Sequence, residues 1–403
     1  MGLLPCRSKR HSATPDDYRP NLITSASFDL SKPSLISQPS LPSVPTLTHQ
    51  PSTNHLDRYT ATLTPHTSSI FALTISAHNS AVLSASSDGE IRAQTPTSSA
   101  VVVPAARCAV KALLVFSNKL VTAHQDSRIR VYRIDESSRL YALEATLPTL
   151  ADRARTMVSP RSYVKVRRHV RRTWVHHVDA VSALALSSDK ALLYSVSWDR
   201  SLKVWRTSDF RCVESVVNAH DDAVNAVVVA GDGRVFTGSA DKMIKVWRRQ
   251  RSEEGVEEHR VVETLTKHRS AVNALALSRD GSVLYSGACD RSILVWSDKN
   301  ATGAALSGGG MVVVGALRGH TKAILCLCVV GDLLFSGSAD GTVRVWRRGG
   351  GGGYGCVGVL GRDGGAAVKS VAAMEVAGGA YLVYGGSLDG EIKVWELRVD
   401  SVN

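Results

Sequence analysis

The chain has little of what marks a secreted or membrane-spanning protein. Its 403 residues contain no run of about 18 consecutive apolar residues, which is the length of a candidate membrane helix. Residues 1–10 lack the apolar stretch of a secretory signal. The seven cysteines are odd in number and form no Cys-x-x-Cys pair, which favours a reducing compartment over a disulfide framework. We therefore expect no transmembrane segment and a location in the cytoplasm, the nucleus or both.

Positive charge is plentiful, but much of it is local. The formal net charge is +12. Residues 152–172 hold eight Lys or Arg residues against one Asp, which accounts for +7 of that total. A general surface for binding polyanions is therefore not needed to explain the charge.

The dominant feature of the chain is a repeat. Five segments begin with Asp and end six residues later with Trp, with alternating apolar residues between. This pattern predicts a tight turn leading into a half-buried strand. Weaker copies at Asp88 and Asp126 bring the total to seven, and the later Asp residues are spaced 42, 49, 50 and 49 apart. A period of this size predicts an all-β ring in which each repeat contributes four short strands. The five strong copies are residues 199–205, 241–247, 290–296, 340–346 and 389–395.

The two ends of the repeat region predict how the ring closes. Residues 1–56 are rich in Ser, Pro and Thr and have few large apolar residues, so we predict a disordered tail followed by a ring at 57–398. The last repeat stops soon after its third strand, at Trp395, while residues 58–64 form a strand without a repeat. Pairing these two strands would close the ring and remove exposed edges.

Three insertions interrupt the repeats. A long basic insertion occupies about residues 147–173, and Gly-rich stretches occupy 301–310 and 348–355. Poly-Gly is flexible and has no side chain to pack, so the Gly-rich stretches are predicted to be slack loops.

A polar set recurs at nearly fixed distances from each Asp turn. A Ser or Thr lies four residues before the Asp, and a His lies 20–22 residues before it. A buried His can donate to the Asp and accept from the hydroxyl, which can accept from the Trp indole. Four repeats carry complete sets: His177, Ser195, Asp199, Trp205; His220, Thr237, Asp241, Trp247; His268, Ser286, Asp290, Trp296; and His320, Ser336, Asp340, Trp346.

A Ser, a His and an Asp together also suggest a hydrolase. The recurrence of the set in four repeats favours a structural role, and no repeat carries a nucleophile elbow or a phosphate-binding loop. The neighbours His176 and His177 would point to opposite sides of a strand, which argues against a metal site. We therefore predict a protein that is not an enzyme and has no catalytic residue, metal or cofactor.

These residues resemble the WD40-repeat family. The family's Gly-His element is present at Gly319–His320, and its Trp-Asp dipeptide survives only at the Trp. The resemblance covers about residues 58–398. It implies a seven-bladed β-propeller whose top face bears the His-containing loops and the Asp turns.

A narrower resemblance is to the JINGUBANG-like group of plant WD-repeat proteins. It rests on residues 147–150, 163–169, 177–184, 195–199 and 219–226. The resemblance implies a non-enzymatic regulator that acts through protein–protein contact, with transcription factors in developmental or hormone signalling as candidate partners.

The resemblance also points to partner-binding residues on the top face. Trp198 directly precedes an Asp turn, and large aromatics are enriched among interface hot spots. Two arrangements are open: Trp198 is exposed, or it packs beneath the basic insertion beside Trp174. Asp179, Asp222 and Asn225 are expected on the same rim.

The basic insertion is expected to emerge on the top face. It forms either a solvated strand or helix strapped over the ring, or a patch for an acidic protein partner. The residues concerned are Lys165, Arg167, Arg168, Arg171 and Arg172. Nucleic acid is a weaker candidate, because only Tyr163 and Trp174 could stack on bases.

Two alternative functions stay open. The segment from Gly385 to Asp389, followed by Trp395 and Arg398, is similar to the box by which some WD40 proteins engage a cullin–RING ligase adaptor. The chain could then be a substrate receptor of a ubiquitin ligase. The other alternative is an RNA-associated propeller that uses the basic insertion.

Overall fold

The computed structural model describes residues 44–49 and 57–398, apart from 77–80, 96–97, 105–107, 136–139, 158–162, 168–169, 254, 299–309, 350–352 and 377. Most of the predicted tail and of the Gly-rich stretch 301–310 lies outside the described residues. In the other Gly-rich stretch only residues 350–352 lie outside them. There Arg348 pairs with Tyr354 in a sheet, and Gly349 donates its N–H to Gly353 O at 2.9 Å, so the ends of this stretch form a hairpin and not the predicted slack loop. In the part of the chain that is described, no helix is long and apolar enough to span a membrane.

Seven four-stranded antiparallel blades confirm the predicted all-β propeller. Two strands precede them: β1 (Thr48–His49) and β2 (Asp57–Leu63). Blade 1 contains β3 (Ile70–Ile75), β4 (Val82–Ser86), β5 (Ile91–Thr95) and β6 (Ser98–Val103). Blade 2 contains β7 (Val110–Phe116), β8 (Lys119–His124), β9 (Ile129–Asp135) and β10 (Leu140–Leu147). The insertion contains α1 (Leu150–Met157) and the hairpin of β11 (Tyr163–Arg167) and β12 (Val170–Thr173).

The remaining blades follow in chain order. Blade 3 contains β13 (Val181–Leu186), β14 (Leu192–Ser197), β15 (Leu202–Arg206) and β16 (Cys212–Val216). Blade 4 contains β17 (Val224–Val229), β18 (Val235–Ser239), β19 (Ile244–Arg251) and β20 (Glu257–Leu265). Blade 5 contains β21 (Val272–Leu277), β22 (Val283–Ala288), β23 (Ile293–Asp298) and β24 (Met311–Leu317). Blade 6 contains β25 (Ile324–Val330), β26 (Leu333–Ser338), β27 (Thr342–Arg348) and β28 (Tyr354–Gly361). Blade 7 contains β29 (Val368–Val376), β30 (Ala380–Ser387) and β31 (Ile392–Arg398), together with β2.

The hydrophobic core lies between neighbouring blades. The second strand of a blade is covered on both faces, and all residues of β18 are buried. Between blades 6 and 7, Phe335 and Val345 from one blade join Val371 and Val383 from the other in a single apolar cluster. Burial on both faces explains why each of these strands combines large apolar residues with small ones and carries no charged side chain in blades 3–6.

The Asp turns shape the link between the second and third strands of each blade. In blade 4, Asp241 Oδ1 accepts the backbone N–H of Met243 at 2.9 Å. The intervening Lys242 has a φ of 74°, a left-handed conformation that glycine adopts most easily. Gly341 and Gly390 take this place in blades 6 and 7, with φ of 87° and 90°. The repeated Asp thus marks a hairpin whose tip has a defined backbone shape.

Strand β2 closes the ring, as the sequence predicted. It pairs antiparallel with β31, with Ala61 opposite Val394 and Leu63 opposite Ile392. Leu63 also packs against the cluster that contains Ile70 and Ile392. The pairing covers the edge of β31, which would otherwise be open to other chains.

Residues 44–49 differ from the predicted disorder. Leu47 donates its backbone N–H to Ala316 O at 3.0 Å and accepts from Tyr354 N at 3.0 Å, so this segment, the strap, joins blade 5 to blade 6. β1 runs parallel to β28, with Thr48 opposite Tyr354. The strap orders because Val44 is buried and Leu47 packs against Gly315, where no side chain competes for the space.

The helical part of the insertion also lies elsewhere than predicted. Asp152 Oδ2 accepts the backbone N–H of Cys212 at 3.3 Å. Cys212 pairs with Trp205, at the end of blade 3 that is farthest from the Asp199 turn. Helix α1 therefore contacts the outer edge of this blade, and the prediction of a strap over the top face is wrong for the helix. The physical reason is the buried carboxylate, which needs a hydrogen-bond donor.

We predict that the ring depends on β2. A chain that starts at residue 57 keeps this strand, whereas a chain that starts at residue 64 lacks it. The shorter chain should melt at a lower temperature and associate as its concentration rises, because β31 then has an open edge. Calorimetry and light scattering on the two chains check this. Equal melting temperatures together with two monomers would contradict it.

Candidate protein-interaction surface

A chain of hydrogen bonds runs from Trp to Asp inside each of blades 3–6. In blade 4 the indole N–H of Trp247 donates to Thr237 Oγ1 at 2.8 Å. Thr237 Oγ1 lies 2.7 Å from His220 Nε2, and His220 Nδ1 lies 2.8 Å from Asp241 Oδ2. Because a carboxylate only accepts, the His proton is on Nδ1 and Nε2 accepts from the hydroxyl. The distances in the other three blades are 2.7–3.2 Å.

These hydrogen-bond chains cannot act as a hydrolase site. The hydroxyl-bearing residues Ser195, Thr237, Ser286 and Ser336 are all 0% exposed. A substrate carbonyl would have to reach the hydroxyl oxygen. This oxygen is buried between the imidazole, to which the hydroxyl donates, and the Trp indole, from which it accepts. The arrangement instead ties the loop that carries the His to the hairpin that carries the Asp, in the same way in four blades.

The Asp carboxylates in these chains are held in the charged form. Burial alone would raise the pKa of Asp290. The hydrogen bond and charge of His268, with further hydrogen bonds from Ser292 and the backbone of Arg269, outweigh burial and lower this pKa to about 2. The pKa of Asp199 and of Asp340 is also lowered in spite of burial, chiefly through their His partners. The charged Asp is therefore part of the folded structure at neutral pH.

Blade 2 builds a different polar set, which the sequence reasoning missed. Its hydroxyl, Thr122 Oγ1, lies 2.7 Å from Nε2 of His124, a residue of the same strand. Cys108 lies in the loop two residues before β7, and its Sγ accepts the N–H of Asp126 at 3.1 Å. Burial, assisted by the charge of Arg130, lowers the pKa of His124 to about 4. The signal that could have revealed it is the Thr-x-His spacing in a repeat without a loop His.

Two groups of described residues have the composition of metal ligands. Their ligand atoms lie within 4.8 Å of one another in the sets Cys108, His124, Asp126 and His66, Asp88, Glu90. In each set an arginine already binds a carboxylate. Arg130 Nη2 lies 2.6 Å from Asp126 Oδ2, and Arg92 Nε lies 3.0 Å from Glu90 Oε2. These guanidinium groups compete with any cation for the same oxygens.

Blade 7 departs from the pattern for a packing reason. Gly385 replaces the hydroxyl residue, and a Cβ added there would lie 2.9 Å from the ring of Trp395. The Trp ring thus occupies the space that a Ser side chain would need. Trp395 is buried, whereas Arg398 is exposed and its Nη2 lies 3.2 Å from Glu396 Oε1.

Trp198 packs against a lysine of blade 2, a contact that the sequence did not predict. The alternative beneath the basic insertion falls on side chains outside the described residues. Trp198 is half-buried, and the ammonium group of Lys111 lies 5.2 Å from its ring centroid. The same ammonium group lies 4.0 Å from the centroid of Phe71. Both distances are within the range of cation–π contact. Three neighbouring blades thus contribute to one aromatic and cationic cluster.

The predicted rim residues divide into two kinds. Asp179 and Asp222 are exposed, and each carboxylate accepts the N–H of the residue that follows, at 2.7 Å. Asn225 is half-buried, and its Nδ2 donates to Val272 O at 3.0 Å. Asn225 therefore links blade 4 to blade 5, while the two Asp carboxylates keep an accessible side.

The basic residues of the insertion are only partly described. Lys165 and Arg167 lie in β11 and Arg171 and Arg172 lie in β12, with Lys165 opposite Arg171. Their side chains, and the whole of Arg168, lie outside the described residues.

Comparison with known families identifies the repeats. The model of the WD domain, G-beta repeat, matches residues 57–93, 168–206, 211–248, 259–297 and 311–347. Together with the seven blades, these matches define the molecule as a seven-bladed β-propeller built of WD40 repeats. The family's typical role as a non-catalytic interaction scaffold agrees with the buried hydroxyl groups.

Individual relatives include plant and yeast proteins. The chain is similar to the Arabidopsis thaliana protein ROOT INITIATION DEFECTIVE 3, with 35% identity over 43% of this chain and 40% of that protein. It is similar to autophagy-related protein 16 of the same plant, with 23% identity over 57% of this chain and 45% of the relative. An uncharacterized WD repeat-containing protein of Schizosaccharomyces pombe is 25% identical over 38% of this chain and 40% of its own length. The chain thus spans less than half the length of each of these relatives.

We predict that removing one link of a hydrogen-bond chain destabilises its blade. Trp247→Ala leaves a cavity, and Asp241→Ala leaves the buried His220 without its acceptor, so each should cost about 3–5 kcal/mol of unfolding free energy. Chemical denaturation checks this, with the exposed Asp222→Ala as the control. If either variant had the same denaturation midpoint as the unmodified protein, the hydrogen-bond chain would not stabilise the blade as proposed.

Acid should unfold the propeller through the same carboxylates. A carboxylate whose pKa falls on folding stabilises the fold above its unfolded pKa of about 4, and the gain is lost as pH falls towards the folded pKa. For Asp290 the window is therefore from about 4 down to about 2. Asp290→Asn should lower the melting temperature at pH 7 and flatten its dependence on pH in that window, relative to Asp222→Asn. Parallel pH profiles for the two variants would count against this assignment.

Proposed function

We propose that this chain is a non-enzymatic scaffold that binds partner proteins through the top face of the propeller. The observation that carries the proposal is the cluster of Trp198, Lys111 and Phe71, in which large side chains from three blades are half-buried and open to solvent. Aromatic residues at such a position provide the rigid, partly desolvated contacts of interface hot spots.

A regulatory role in a plant fits this surface. The names of two similar Arabidopsis proteins refer to root initiation and to autophagy, and the narrower resemblance is to the JINGUBANG-like group. We therefore propose partners among transcription factors or signalling proteins in the cytoplasm, the nucleus or both. Asp179 and Asp222 add polar contacts at the rim of the same face.

Trp198→Ala should leave the fold intact and weaken partner binding. Because the ring is only half-buried, its loss removes contact area without opening a core cavity. Proximity labelling in plant tissue, with the unmodified protein and the variant fused to the same ligase, measures the effect. Tyr59→Ala is the matched control, since Tyr59 is 56% exposed on the outer strand β2. Full labelling of every partner by the Trp198 variant would contradict the proposal.

A second candidate is a substrate receptor of a cullin–RING ubiquitin ligase. The observation in its favour is the exposed Arg398, three residues after a buried Trp395, on the strand that pairs with the closing strand β2. The same labelling experiment with Arg398→Ala separates this candidate, because loss of a cullin adaptor alone would favour it. The RNA alternative is tested by salt-titrated oligonucleotide binding to Arg167→Ala/Arg168→Ala.

A further inference from the structure

The second residue of each inner strand occupies one equivalent position around the ring. At this position every inner strand has a register shift, so the residue is released from regular pairing with the second strand. The residues are Phe71, Lys111, Ser182, Asn225, Asn273, Leu325 and Lys369. They lie at the ends of the inner strands next to the Asp turns, which is the top of the ring.

Three of these residues connect neighbouring blades. The Ser182 hydroxyl donates to Val224 O at 2.5 Å, and the amide of Asn273 donates to Ile324 O at 2.8 Å. Asn225 makes the equivalent bond. A short polar side chain here therefore holds one inner strand to the next.

Leu325, Lys369, Phe71 and Lys111 depart from this role in four consecutive blades, 6, 7, 1 and 2. Leu325 is buried, whereas the other three are half-buried. Neither lysine ammonium group forms a hydrogen bond or an ion pair with the described residues. We call Phe71, Lys111, Trp198 and Lys369 the mouth cluster. All four are half-buried, so the cluster is open to solvent and yet partly shielded from it.

The charges of the two lysines are not balanced within the described part of the fold. Burial, and then the charge of Lys369, lowers the pKa of Lys111 to about 8. Burial also lowers the pKa of Lys369. The nearest thiols do not compensate, because burial raises the pKa of Cys326 to about 12 and raises that of Cys289. Burial thus disfavours the charged form of both lysines, and a carboxylate bound between them would favour it.

We propose that the mouth cluster binds an acidic peptide segment of a partner protein, with a carboxylate between Lys111 and Lys369 and an apolar side chain against Phe71 and Trp198. This inference rests on the proposed scaffold function and names the chemistry of its partner. The two ammonium groups supply the charge complement. A carboxylate carries one charge, whereas a phosphate carries nearly two and costs more to remove from water, so a carboxylate fits this half-buried and partly apolar cluster better.

The proposal is tested by selection from a random-peptide display library on the full chain. Selected peptides should be enriched in Glu or Asp next to apolar residues. Binding by fluorescence anisotropy should fall at least about tenfold when the acids are changed to Gln, and about tenfold in Lys111→Met and in Lys369→Met. Lys322→Met, an exposed lysine on the same face, should change affinity less than about twofold.

Folding is controlled independently, because each methionine keeps the apolar stem while removing an unbalanced charge. The melting temperatures of Lys111→Met and Lys369→Met should therefore be equal to that of the unmodified protein or higher. Selection of peptides without acidic residues, or unchanged affinity in both variants, would overturn the proposal. Tighter binding of phosphoserine peptides than of Glu peptides would also overturn it.

The labelling experiment separates failure of this inference from failure of the scaffold function. If Trp198→Ala loses partners while Lys111→Met and Lys369→Met keep all of them, the scaffold function stands and the acidic segment is rejected. If all three variants keep every partner, both are rejected.

Discussion

A buried contact between a histidine and an aspartate joins the entry loop of a blade to the hairpin of the same blade, and it does so in four blades of this propeller. In blade 6, for example, His320 comes from the loop that enters the blade and Asp340 from the hairpin between its second and third strands, and their side chains meet at 2.8 Å. A hydrogen bond to a charged group contributes about 1.5–3 kcal/mol, and an unpaired buried charge costs more than that. The hydroxyl on the second strand and the indole on the third extend the contact across these two strands. The same constraint that stabilises the blade also fixes the position of the residues on its top face.

Different residues provide stability and recognition in this propeller. The hydrogen-bond chains that stabilise the blades are buried, whereas the mouth cluster is half-buried and reachable from solvent. The hydroxyl groups that resemble a catalytic set are inaccessible, and they recur in four blades with nearly equal distances. The large residues that are accessible, Trp198 and Lys111, belong to positions where the blades differ most from one another. In a repeat protein, contacts common to the repeats describe the scaffold, and the exceptions describe its binding surface.

Much of the fold could be predicted from the sequence, because it is encoded locally and repeated. The spacing of Asp241 and Trp247 defines a turn and a strand without reference to any other part of the chain, and the unassigned strand near residue 60 had a single open edge to pair with. The strap and the position of α1 could not be predicted in this way. Val44 and Leu47 are isolated apolar residues in a polar segment, and their burial depends on an edge of blades 5 and 6 that exists only in the folded ring. The pairing of Lys111 with Trp198 likewise depends on the curvature of the ring, and His124 was missed because it reaches its hydroxyl from within the same strand.

The pairing of β2 with β31 has a consequence for how the protein is made. The two strands are neighbours in blade 7, yet β2 leaves the ribosome before the other six blades and β31 leaves after them. Throughout synthesis β2 therefore has an unsatisfied edge, and the nascent ring stays an open arc until translation has reached the final blade. We expect a chaperone that covers the unpaired edge of β2 during synthesis to reduce association between nascent chains. The rate of ring closure is limited by the length of chain between β2 and β31.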